Sequence, residues 1–128
     1  MAWYNNDWKY RKKITLTGQT GAGTDYQVKL LIGESSGASG EDFDLEGNSA
    51  DFPSAKNDGG DLRFTASDGV TELPFWIESV SGSSPNRLAT VWVKVSADLG
   101  SNQDIYCYYE NSSATNGSDG RNTFNLYD

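Results

Sequence analysis

Histidine is missing altogether from these 128 residues, and cysteine occurs once, as Cys107. Without imidazole there is no Ser-His-Asp triad, no histidine metal ligand and no imidazole general base. One thiol excludes an internal disulfide framework and a cysteine-based zinc cluster. Set in an aromatic run, Cys107 reads as a small buried residue. Basic residues are also scarce: ten Lys and Arg face eighteen Asp and Glu, a formal net charge of −8. Nucleic acid is bound through clustered cations, so it is excluded as a partner, and anionic membranes are disfavoured for the same reason. The single basic run, Lys9-Tyr10-Arg11-Lys12-Lys13, reads as a solvated strand face and turn rather than an anion site. No apolar stretch approaches the roughly 18 residues of a membrane-spanning helix. Nothing at the start resembles a secretory leader; for an exported parent the expectation is a leader already removed, with Met1 an added start.

What the chain does have is aromatic surface. Four Trp, seven Tyr and five Phe, in a sequence only 36% hydrophobic, mark a folding domain rather than a disordered tail. Its length suits one domain. Apolar residues alternate with polar ones in six segments, 8–16, 26–32, 62–66, 73–78, 89–95 and 105–109, which reads as strand. The inward rows are expected to be Trp8, Tyr10, Ile14 and Leu16; Tyr26, Val28, Leu30 and Ile32; Leu62, Phe64 and Ala66; Leu73, Phe75 and Ile77; Ala89, Val91, Val93 and Val95; and Ile105, Cys107 and Tyr109. Clusters of Gly, Asn, Asp and Ser separate the segments, and Asp68-Gly69 marks a hairpin between 62–66 and 73–78. The expected fold is all-β, an antiparallel two-sheet β-sandwich of jelly-roll type. It should occupy residues 1–110, with 111–128 a polar linker and the start of a final strand or following domain. The long segment 41–61 is the one irregular stretch, of the kind that is often functional or mobile.

Several ordered motifs carry a family resemblance. Trp8-Lys9-Tyr10-Arg11-Lys12-Lys13-Ile14-Thr15-Leu16 opens the chain. Asp61-Leu62-Arg63-Phe64, Asp68-Gly69 and Leu73-Pro74-Phe75-Trp76-Ile77-Glu78 follow, then Val91-Trp92-Val93-Lys94-Val95 and Ile105-Tyr106-Cys107-Tyr108-Tyr109. Together these resemble the DUF2341 family. The closing Thr123-Phe124 and Tyr127-Asp128 resemble the entry to a concanavalin-like lectin domain. The resemblance implies a large secreted or surface-attached, mostly prokaryotic, multidomain parent, often with carbohydrate-active neighbours. It supplies no catalytic residues.

Sugar rings present apolar C–H faces with polar rims, so a sugar site needs exposed aromatic planes beside hydrogen-bonding groups. Strand alternation puts the neighbours of inward residues on the opposite face. Trp76 and Glu78, Trp92 and Lys94, and Tyr106 and Tyr108 should therefore point away from the core, with Arg63 beside them. If their strands share one sheet, they form an aromatic platform flanked by charge. The plainer reading is that these rings are covered by a loop or a neighbouring domain. Trp8 is expected in the core, and Trp3 and Tyr4 along an edge.

Asp42, Asp44 and Glu46, followed by Gly47, imitate the first half of a calcium loop, although Pro53 stands where a bidentate Glu is needed. Glu41, Asp51 and Asp58 are further oxygen donors, and solvated acidic loops are the commoner case. Paired carboxylates suggest glycoside hydrolysis only in principle; Glu78 is the one acid worth watching. Asn111-Ser112-Ser113 and Asn116-Gly117-Ser118 fit glycosylation acceptors, and read better as a floppy linker. The expected function is a non-enzymatic carbohydrate-binding module, extracellular or on a cell surface, with polysaccharide or oligosaccharide as partner and calcium as an optional ion. The alternative is a structural or adhesion module packed on neighbouring domains; strand addition to a sheet edge is a third reading.

Overall fold

The computed structural model describes residues 3–35, 40–48, 52, 60–114 and 123. Expectations for 49–51, 53–59, 115–122 and 124–128, including Pro53, Asp51, Asp58, the Asn116 sequon and the closing aromatic run, fall outside the described residues.

Alternating apolar residues and turn-forming breaks produce eight strands: β1 (Tyr10–Leu16), β2 (Tyr26–Gly33), β3 (Phe43–Asp44), β4 (Arg63–Thr65), β5 (Glu72–Leu73), β6 (Phe75–Ser81), β7 (Leu88–Val95) and β8 (Gln103–Tyr109). They form two four-stranded sheets. One has the order β1-β8-β4-β5, the other β3-β2-β7-β6. Pairing is antiparallel except at β3, which lies parallel to the end of β2 at Ile32 and Gly33. An all-β sandwich is therefore what the sequence folds into. None of its helices is long and apolar enough to cross a membrane, among the described residues.

The core lies between the sheets. Leu30 and Ile32 of β2, Phe75 and Ile77 of β6 and Ala89, Val91, Val93 and Val95 of β7 meet Phe64, Leu73, Ile105, Cys107 and Tyr109 from the opposite sheet. The Phe64 and Phe75 rings touch across the interface, their centroids 5.2 Å apart. Burying each such side chain contributes roughly 1.5–3 kcal/mol. Burial also pushes the Cys107 thiol far above its ordinary range, which makes it a packing residue and no nucleophile.

Two departures from plain alternation shape the sandwich. Leu73 and Phe75 share a parity, yet Leu73 pairs with Phe64 in one sheet and Phe75 with Val93 in the other. Pro74, which has no N–H for a ladder, stands at the crossing, and its carbonyl accepts the Lys94 N–H at 3.0 Å. The second departure is a bulge at Glu78: Ile77 faces Val91, but Ser79 already faces Thr90. The extra residue shifts the frame by one, so that Val80 rather than Ser79 packs against the core.

Three expected inward residues are not part of this core. Tyr10 and Tyr26 are exposed strand starts. Trp8 is buried, but in a second cluster with Tyr106 and Tyr108, on the outer face of the β1 sheet.

Candidate functional site

The outer face of the β2 sheet carries half of the expected platform. Trp76 on β6 is directly opposite Trp92 on β7, and Lys29 on β2 is directly opposite Trp92 on its other side. One row of this face thus reads Lys29, Trp92, Trp76. Side chains paired directly across strands have Cβ atoms about 4.5–5.5 Å apart, so the two indoles are immediate neighbours. Both are half-buried. The bulge brings Glu78 to Trp92: the indole Nε1–H donates to Glu78 Oε1 at 2.7 Å. That charge-assisted bond fixes the ring's orientation. The Lys29 ammonium is 6.0 Å from the Trp92 ring centroid. Lys94 lies two residues along β7 on the same face, opposite Gln27 of β2. Lys29 and Gln27 escaped the sequence reading. The alternation of β2 gives their outward parity, but nothing in the sequence says that β2 lies beside β7.

The other half of the expected platform is elsewhere, and is not a surface. Tyr106, Tyr108 and Arg63 belong to β8 and β4, in the opposite sheet, and all three are buried. Their burial has a clear physical cause. The chain before β1 folds back over this face, seating Trp3 edge-on to Tyr108 at 5.1 Å and Tyr4 against Trp8 at 5.2 Å. Arg11 lies between Trp3 and Tyr106, its guanidinium carbon 4.6 and 4.5 Å from their ring centroids. The Tyr108 hydroxyl accepts from Tyr4 N at 3.2 Å and Arg11 Nη1 at 2.9 Å, and donates to Gly69 O at 2.7 Å. Arg63 lies over Trp8 at 5.1 Å and donates to the Leu62 carbonyl at 2.6 Å. Tyr4 donates to Glu72 at 2.7 Å, and burial followed by that carboxylate raises its pKa to about 12.

Asp61 completes the clasp. Its carbonyl accepts the Trp8 indole N–H at 2.6 Å, and its carboxylate accepts the amides of Glu110 and Asn111 at 2.9 and 3.2 Å. The motif Asp61-Leu62-Arg63-Phe64 is thus architectural: the apolar pair enters the core and the charged pair locks the N-terminal arm and the exit of β8. The neighbouring turn is similarly closed, with Gly69 at φ 81° and Asp68 capping Val70 N and Thr71 N at 2.9 Å.

The carboxylates of Asp42, Asp44 and Glu46 have partners within the chain. Asp42 accepts the Leu31 amide at 2.8 Å, Asp44 the Glu46 amide at 2.8 Å, and Glu46 pairs with Lys12 at 3.8 Å. Asp42 ties the start of β3 to β2, and Asp44 closes the following turn, where Glu46 and Gly47 both have positive φ. Among the described residues no three acidic, His or Cys side chains are grouped to hold a metal. Of the residues expected as calcium ligands, Asp42 and Asp44 thus cap backbone amides and Glu46 pairs with Lys12.

A cleft of about 450 Å³ opens along one side of the sandwich, where β1 ends one sheet and β2 extends past the short β3 in the other. Ile14, Val28 and Phe43 line it, with Lys12, Lys29 and Asp42 at the rim.

Comparison with known proteins gives one finding. No curated protein and no solved structure matches the chain. The sequence profile described as "Domain of unknown function (DUF2341)" matches residues 58–128, more than half of the length. The matched stretch holds β4 to β8, and with them both Trp76 and Trp92; the opening motif at Trp8 to Leu16 lies before it. This chain therefore belongs to the DUF2341 family.

Proposed function

We propose that this chain is a non-catalytic carbohydrate-binding module of a larger extracellular protein, and that it takes its ligand on the outer face of the β2 sheet. The observation that carries this reading is the Trp76–Trp92 pair: two indoles side by side on adjacent strands, outside the core, with Glu78, Lys94 and Lys29 around them. Flat apolar rings beside groups that bond hydroxyls suit the two kinds of surface on a sugar. Ladder-paired strands hold the rings in place, so little ordering entropy is lost on binding. A single shallow face implies weak affinity. Arg63, Tyr106 and Tyr108 have no part in it.

The test is a glycan array spanning plant, algal and microbial polysaccharides, probed with the wild type, Trp92→Ala and Trp76→Ala. Loss of a central aromatic contact costs about 2 kcal/mol, so each variant should bind roughly tenfold or more weakly while remaining folded. An array blank for the wild type, or binding untouched by both substitutions, refutes the proposal. Indole emission that signals burial only when a following domain is attached would favour the structural or adhesion reading instead.

A further inference from the structure

We infer that the ligand of the Trp76–Trp92 face is an acidic polysaccharide whose sugar rings carry carboxylates; this rests on the stacking reading above and names its substrate class. The placement of charge points to it. Eighteen acidic residues outnumber ten basic ones in this chain. Four of the eight described cations have internal work: Arg87 is paired with Glu34, Lys12 with Glu46, and Arg11 and Arg63 are held among aromatic rings. The other four are Lys9, Lys13, Lys29 and Lys94, and of these Lys29 and Lys94 lie on the face of the indole pair, Lys29 with its ammonium 6.0 Å from the Trp92 ring centroid. Among the described residues neither has an ion-pair partner.

Both of these lysines border Trp92. Lys29 is its direct cross-strand neighbour on β2, and Lys94 its same-face neighbour on β7. The nearby carboxylate, Glu78, approaches Trp92 from the β6 side, where it accepts the indole N–H. The face is therefore polarised. Its β2 side offers the Lys29 ammonium and the Gln27 amide, with the Lys94 ammonium beside them further along β7; its β6 side offers the second indole and a carboxylate already engaged. A uronate ring stacked on Trp92 would direct its carboxylate to Lys29 and Lys94, and its neutral neighbour would cover Trp76. The net charge of −8 opposes a polyanion at long range. At physiological ionic strength the screening length is about 8 Å, so the contacting lysines dominate.

The experiment is affinity electrophoresis and calorimetry in 0.15 M salt with three polyuronates: polygalacturonate, alginate and hyaluronan. Each is paired with its carboxyl-reduced, uncharged counterpart. The expected result is that at least one acidic polymer binds about tenfold tighter than its reduced form. Exposed ion pairs contribute up to about fivefold each, so Lys29→Ala with Lys94→Ala should lower that affinity roughly 5- to 25-fold. Lys13→Ala, on an exposed position of the opposite sheet, should leave it unchanged. If every reduced polymer binds as well as its acid form and Trp92→Ala abolishes both, the inference fails while the stacking reading stands. If Lys13→Ala weakens binding as much as the double substitution, the attraction is unspecific and the inference fails. If no acidic or neutral polymer binds, both fail.

Discussion

Replacing Tyr108 with Phe removes one oxygen atom and tests whether the aromatic face of the β1 sheet is architecture rather than a binding surface. The side chain is fully buried, and its hydroxyl makes three hydrogen bonds, with Tyr4 N, Arg11 Nη1 and Gly69 O. Deleting it leaves the carbonyl of Gly69 without this donor, and removes an acceptor from a backbone amide and a guanidinium. A buried group left without its partner costs about 1–3 kcal/mol. Tyr4 and Arg11 are only part-buried and regain water, which discounts their share. The expected loss is therefore about 2–3 kcal/mol, a large part of the roughly 5–15 kcal/mol that holds a domain together. Urea unfolding followed by tryptophan fluorescence measures it as a shift in midpoint at constant slope. Glycan binding by the folded variant should equal that of the wild type, because the indole pair is on the other sheet. A stability change below about 0.5 kcal/mol, the range of ordinary surface substitutions, would refute the hub role of this hydroxyl.

Two further outcomes follow from charge. Glu34 accepts from Arg87 Nε and Nη2, both at 2.9 Å, and the guanidinium holds its carboxyl below the ordinary 4.5. A depressed folded-state pKa adds stability that is complete above about pH 4.5 and disappears as pH falls through the folded value; for this part-exposed pair it is roughly 1 kcal/mol. Glu34→Gln should flatten the acid limb of the stability–pH curve, and an unchanged limb would contradict the assignment. Lys12 projects from the edge strand β1 on the side occupied by Cys107, a placement that discourages strand addition. Lys12→Val should produce concentration-dependent dimers in light scattering, and a variant that stays monomeric at every concentration would sink that role.

Much of the sandwich was legible from alternation alone. The Val91, Val93, Val95 row and the Phe75, Ile77 pair face the core, so Trp76 and Trp92 stand outside it, as their parity requires. Parity says which face a residue takes, but not which sheet. Tyr106 and Tyr108 also point away from the core; β8 simply belongs to the other layer. Pro74 held the clue that the strand around it splits between sheets. The spacing from Ile77 to Val80 held the clue to the bulge, since a step of three residues between apolar positions does not fit a period of two. Nothing local announces that the chain before β1 covers Tyr106 and Tyr108. That fold-back depends on contacts such as Tyr4 with Glu72 and Trp8 with Asp61, more than fifty residues apart. Lys29 stayed hidden for the same reason: its place beside Trp92 is a matter of pairing, not of composition.

The most direct measurement is a titration of the nitrogen-15-labelled chain with the oligosaccharide that binds best, following its four indole N–H resonances. The account requires the Trp76 and Trp92 signals to move and saturate together, while Trp3 and Trp8, clasped on the far sheet, stay still. Movement of Trp3 or Trp8 with the other two unchanged would put the ligand on the wrong side of the sandwich and contradict it.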